Sequence, residues 1–147
     1  MTRHVVLAVL WLGVVGTGIE LLLLKHFDGA WQIAPLALLA CGVVALAVLA
    51  AVPRPGAVRA LQLVMAIFVV SGAIGVLLHY RGNVEWELDR VASLRGFDLF
   101  KAAIMGATPA LAPGTMVQLG IVGLLYSYLH PAARRGTTDH QPFQSSS

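Results

Sequence analysis

The chain has 147 residues, 58% of them hydrophobic and 12% charged, with a formal charge of +3 and a mean hydropathy of +0.80. Soluble domains carry about a quarter charged residues, so a soluble globular fold is excluded, and the length suits one bundle of about four membrane spans with no separate soluble domain. The basic surplus does not indicate nucleic acid, because Arg54, Arg59, Arg134 and Arg135 flank apolar runs, where orientation signals belong, and form no basic face.

The first apolar block runs from about Val5 to Leu24. It follows one basic residue, Arg3, and ends without a small-residue cleavage pattern, so it reads as a retained helix rather than a removed leader. Gly13 and Thr17 form a small-x-x-x-small pair that permits close helix approach. Glu20 is the one ionisable residue well inside an apolar block. A carboxylate there is costly unless paired, protonated or turned to a polar interior. Pairing with Lys25, His26 or a loop arginine is the simplest account of it.

The second block runs from about Trp31 to Val52, with Trp31 where an interfacial aromatic belongs and Gln32 and Pro35 in the first turns. It holds Cys41, the single cysteine. One thiol excludes an intramolecular disulfide and any zinc or iron–sulfur site built on cysteines. Pro53-Arg54-Pro55-Gly56 then forces a tight turn.

The third block runs from about Ala57 to Tyr80, with Gln62 near its start and a small-residue face at Ser71-Gly72-Ala73 and Gly75. Between Leu77 and Asp89 a histidine, a tyrosine and three carboxylates leave the apolar phase together. The connection over 81–112 is the one sizeable extramembrane piece. Val84, Trp86 and Leu88 alternate with Glu85, Glu87 and Asp89, which predicts a short extended segment. Leu94, Phe97, Phe100 and Ile104 recur at three and four, which predicts an amphipathic helix lying in the membrane interface. Trp86, Phe97, Phe100 and Ile104 are the candidate interaction residues of this loop.

The fourth block, about 113–130, is interrupted on its approach by Pro109 and Pro113 and is short for a span. Pro131 stops it, and 131–147 reads as a disordered polar tail. The predicted fold is therefore an all-α integral membrane protein, four transmembrane helices in an up-down bundle with a long outer loop between spans three and four.

The distribution of Lys and Arg places both termini in the cytoplasm and the 81–112 loop outside, and the Ala/Leu/Val/Gly-heavy composition points to a bacterial inner membrane. Glu20, His26, Trp31, Gln32, His79, Tyr80, Glu85, Trp86, Glu87, Asp89 and Gln118 then belong to the outer half, and Gln62, Tyr126, Tyr128 and His130 to the inner side.

Two readings follow. In the first, the chain is a small non-catalytic accessory subunit of a larger membrane complex, possible homes being respiratory or photosynthetic energy-converting complexes. It packs through small-residue helix faces, and its partners are the bilayer and other membrane subunits. In the second it is a redox or metal-handling protein whose site lies at the outer end of the bundle, with Glu20, His79, Glu85 and Glu87 as metal ligands. No cofactor is required by the residues, although a metal, haem or quinone would sit at that end. No Glu-x-x-His or His-x-x-x-His pattern, nucleophile constellation or phosphate-binding loop occurs.

Overall fold

The computed structural model describes residues 2–106 and 108–134. Six helices follow in order: α1 (Thr2–Leu23), α2 (Ala30–Ala51), α3 (Pro55–Arg90), α4 (Gly96–Ile104), α5 (Gly114–Tyr128) and α6 (Pro131–Arg134). The described residues contain no strand. Three of the helices, α1 to α3, are long and apolar enough to cross a membrane.

Local chemistry sets the helix ends. α1 closes with Lys25 in the left-handed region at φ 53°. The His26 N–H returns to the Leu21 carbonyl (2.9 Å) and the Lys25 N–H to that of Leu22 (3.0 Å), the pairing of a Schellman turn. Gly29 precedes α2 in extended backbone, and Gln32 Oε1 accepts the Asp28 N–H at 2.9 Å, so a third-position glutamine ties down the entry. The Pro53–Pro55 turn ends α2, and Pro55 opens α3 at a position that needs no N–H donor.

α3 is the mast of the molecule. Its 36 residues make about 54 Å at 1.5 Å per residue, against roughly 30 Å of bilayer hydrocarbon. The helix therefore continues well past Tyr80, and the extended segment expected at Val84, Trp86 and Leu88 is instead its last turns. Six alternating residues do not set a period against a helix that is already formed. Propagation adds one hydrogen bond per residue fixed, whereas a strand needs a partner strand to pair with.

The rest of the chain returns along this mast. A five-residue link, braced by Arg95 donating to the Ala92 and Leu94 carbonyls (2.7 and 2.6 Å), keeps α4 near the end of α3. α4 forms where the three-and-four spacing predicts it, but buries Ala103 and leaves Phe97 76% and Phe100 48% exposed. α5 then runs antiparallel to α3, with Pro113 beside Gly75, Val117 beside Gly72 and Gly120 beside Val69 and Met65. Residues 131–134, expected within the tail, form α6, which packs on α3 with Ala132 buried. The remainder of the expected tail, 135–147, lies outside the described residues.

The core is a single cluster of Leu10, Val14, Leu39, Leu46, Leu49, Leu61, Met65, Phe68, Met116 and Leu119 with their neighbours. Gly42 lets Phe68 of α3 reach α2 and Val14 of α1. At the α3–α5 seam the backbones themselves approach. A Cβ at Gly120 would lie 2.6 Å from the Met65 carbonyl oxygen, and one at Gly72 2.7 Å from the Val117 nitrogen. Small residues drive such packing because lipid supplies no hydrophobic force between helices.

Gly120→Ala should destabilise the chain by ~1–3 kcal/mol, since a backbone oxygen cannot move aside as a side chain can. Gly82→Ala, on the outer part of α3 with open space around it, should instead be neutral or stabilising by up to ~1 kcal/mol from helix propensity. Thermal unfolding of both variants in one mild detergent checks the contrast.

Candidate functional site

Polar chemistry gathers at the end of the bundle where α1 meets α2 and α3 extends beyond the apolar run. The centre of this region is Asn83, a buried polar residue on α3. Its Nδ2 donates to the carbonyls of Ala103 (2.9 Å) and Thr108 (2.7 Å). Its Oδ1 accepts from the Thr108 N–H (3.2 Å) and hydroxyl (2.6 Å). Both donors and the acceptor oxygen of the amide are thus used. Gly106 is needed at this place, because a Cβ there would lie 2.8 Å from Asn83 Cγ. Asn83 clasps the end of α4 and the approach to α5 onto the mast.

Sequence reasoning missed Asn83 because it ended span three at Tyr80. The signal lay in spacing: Gly72, Val76, His79 and Asn83 recur at four, three and four, so one face of α3 continues through the supposed loop.

Next to this clasp stands a histidine pair. The Schellman turn after Leu23 directs the chain back so that the His26 ring lies 6.5 Å from the His79 ring, centroid to centroid. The Nδ1 of His79 is buried without a hydrogen-bond partner among the described residues. Two imidazoles on one tetrahedral zinc, at ~2.0–2.1 Å per bond, bring their centroids to roughly 5.2 Å, so this pair is more open than a shared zinc site.

The other sequence candidates stand apart. Glu20 is exposed on α1 and forms no ion pair with Lys25, His26 or a loop arginine. It shares the candidate ligand set with His79, but the side chain that meets His79 is His26. Glu85 is exposed on α3, and Glu87 is held by Arg90 at 3.7 Å in a partly solvated pair, a kind worth about 1 kcal/mol or less. Among the described residues no three His, Cys, Asp or Glu side chains form a group able to hold a metal. The Tyr80 ring packs tilted against Phe100 at 6.0 Å, and Phe100 stacks on Phe97 at 6.2 Å. With Trp86, which is exposed on α3, these rings give the outer end an aromatic surface, while Ile104 is half-buried.

At the opposite end, just beyond α5, lies His130. It is buried, lies edge-on to Tyr126 at 5.8 Å, and its Nδ1 accepts the Ala132 N–H at 3.2 Å. Burial holds its pKa below the ordinary imidazole value, and the Arg3 guanidinium adds to that shift.

Three long apolar helices are those of an integral membrane protein. Comparison with protein families, with curated proteins and with solved structures finds no match for the chain.

Two outcomes follow from these polar residues. Asn83→Leu keeps the volume and strands the carbonyls of Ala103 and Thr108, so amide exchange over 96–113 should accelerate while α1 and α2 keep their protection. Hydrogen–deuterium exchange mass spectrometry reads this, and equal acceleration everywhere would refute a local clasp. The second outcome concerns pH. The unfolded His130 binds a proton more readily than the folded one, so its contribution to stability is full above about pH 6.5. That contribution is lost as pH falls through the folded pKa. His130→Gln should therefore flatten the fall in melting temperature between pH 7 and pH 5.

Proposed function

We propose that the chain is a small non-catalytic subunit of a larger membrane assembly, crossing the membrane four times. The observation that carries this reading is the outward face of α1. Only 11% of its spanning window is buried within the chain. Glu20 lies on that exposed face, with Gly16 one turn before it and open space where a Gly16 side chain would be. A carboxylate on the outside of a membrane helix, beside a glycine that packs against nothing of its own, suits a neighbouring helix that approaches closely and offers a donor or a cation.

The fourth crossing combines α5 with the approach to it. Alone, its 15 residues reach about 22 Å, and the chain between Ile104 and Gly114 makes up the remaining depth. Both termini are cytoplasmic in a bacterial inner membrane. In support, Arg3 at the N-terminus and Arg54 and Arg59 at a short connection share one end of the bundle. At the other end only Lys25 lies in a short connection, and Arg81, Arg90, Arg95 and Lys101 belong to the long one, which counts for less in setting orientation. The exposed Trp86, Phe97 and Phe100 give that outer end a surface for a neighbouring subunit or the headgroup region. A respiratory or photosynthetic complex is one home such a subunit would have.

A second reading has the His26–His79 pair in its favour: a proton- or metal-handling site at the outer end, built on the orphaned His79 nitrogen. One preparation separates the two. Extracted from its native membrane in mild detergent, the chain should elute in a large particle with other chains in fixed ratio. Glu20→Ala should reduce those chains about tenfold while the protein still inserts, in line with the cost of stranding the partner's buried group. A particle containing this chain alone would refute the subunit reading. Bound metal or a visible absorption band that disappears with His79→Ala would establish the second.

A further inference from the structure

α5 carries a second outward face of a different kind. It buries Met116, Leu119, Gly120, Gly123 and Tyr126 toward the bundle. On the opposite side Thr115, Gln118 and Leu125 are exposed and Val122 is half-buried, with Leu129 exposed at the helix's C-cap. These positions are spaced three, four, three and four, the heptad seam by which two helices pack side by side along their length. The seam is apolar except at Thr115, where it starts, and at Gln118.

Depth makes Gln118 unusual. Val117 lies against Gly72 and Gly120 against Val69, so Gln118 is level with about residue 71 of α3, near the centre of the apolar run 57–80. Its side chain makes no hydrogen bond with any described residue. Water is absent at this depth, so an amide pointing outward needs a partner from another molecule.

We propose that this face of α5 is the interface between two copies of the chain, with the Gln118 amides hydrogen-bonded to each other across a two-fold axis along the membrane normal. All copies insert in one orientation, so such an axis brings every residue to its own counterpart at equal depth. The polar group at the seam must then be complementary to itself. An amide is, because it carries a donor and an acceptor together. The carboxylate on α1 is not, because two of them at one depth repel unless they share a proton. Gln118 thus selects a second copy for α5, whereas Glu20 selects a different chain for α1. The inference rests on the fourth crossing proposed above but not on the accessory role, since copies can pair with or without other chains present.

Cysteine cross-linking in native membranes tests it, in a Cys41→Ala background because Cys41 is exposed on α2. Leu125→Cys places a thiol on the seam. Leu63→Cys, exposed on α3 at nearly the same depth, is the control. Oxidation with copper–phenanthroline should give a disulfide-linked dimer from Leu125→Cys at several times the control yield. Adding Gln118→Leu should lower that yield about tenfold, whereas Gln118→Asn should retain most of it. Equal yields at the two positions, no effect of Gln118→Leu, or a product whose mass is not twice that of the chain would each overturn the proposal. The last of these outcomes would give the seam to another subunit. None of them bears on whether Glu20 recruits other chains.

Discussion

The seam between α3 and α5 is the constraint on which the rest of the molecule depends. Within a bilayer, apolar side chains gain little by leaving lipid for protein, so helices associate through close packing and through hydrogen bonds. Gly72 and Gly120 let the two backbones approach to a distance that any side chain would prevent, and Gly123 leaves room for the Met65 side chain. Once α5 lies on α3, the chain before it has no choice but to descend beside the mast, and α6 is delivered to the foot of α3. α1 joins the same assembly where Leu119 of α5 fills the space left by Gly13.

Polar groups are handled in two ways, and the difference separates structure from association. Asn83 and His130 are satisfied inside the chain, one by two segments clasped to a helix, the other by a turn closed on its own imidazole. Both lie where helices end and backbone groups are free to pair. Glu20 and Gln118 have no such neighbours and point away from the core. In a soluble protein that exposure would carry no message, because water would serve. On a helix that crosses a membrane an exposed polar side chain has no water to serve it, and the partners proposed above rest on that ground.

The histidine pair shows how local backbone strain can determine side-chain encounters. Lys25 occupies a left-handed conformation that lysine adopts only at a cost. In return the chain reverses within three residues, and His26 arrives beside His79. Neither a ligand motif nor a regular spacing announces this meeting, since the two residues are far apart in sequence, with all of α2 and most of α3 between them.

The apolar blocks, their glycines and their proline boundaries by themselves determined an all-helical membrane protein, the limits of α1 and α2, and the helical spacing of α4, because these depend on composition and on neighbours three or four residues away. The alternation over residues 84–89 misled for the same reason. A six-residue pattern is local, whereas the extension of α3 through it is sustained by a helix already formed and by Asn83 binding Ala103 and Thr108 twenty or more residues on. Tertiary structure alone decided that Glu20 faces outward instead of toward His79, that His26 takes its place, and that Gln118 faces away from the core at mid-depth. Which side of a helix turns inward is set by the neighbours it packs against. Those neighbours are chosen by the glycines that allow close approach, not by the polar residue whose fate they settle.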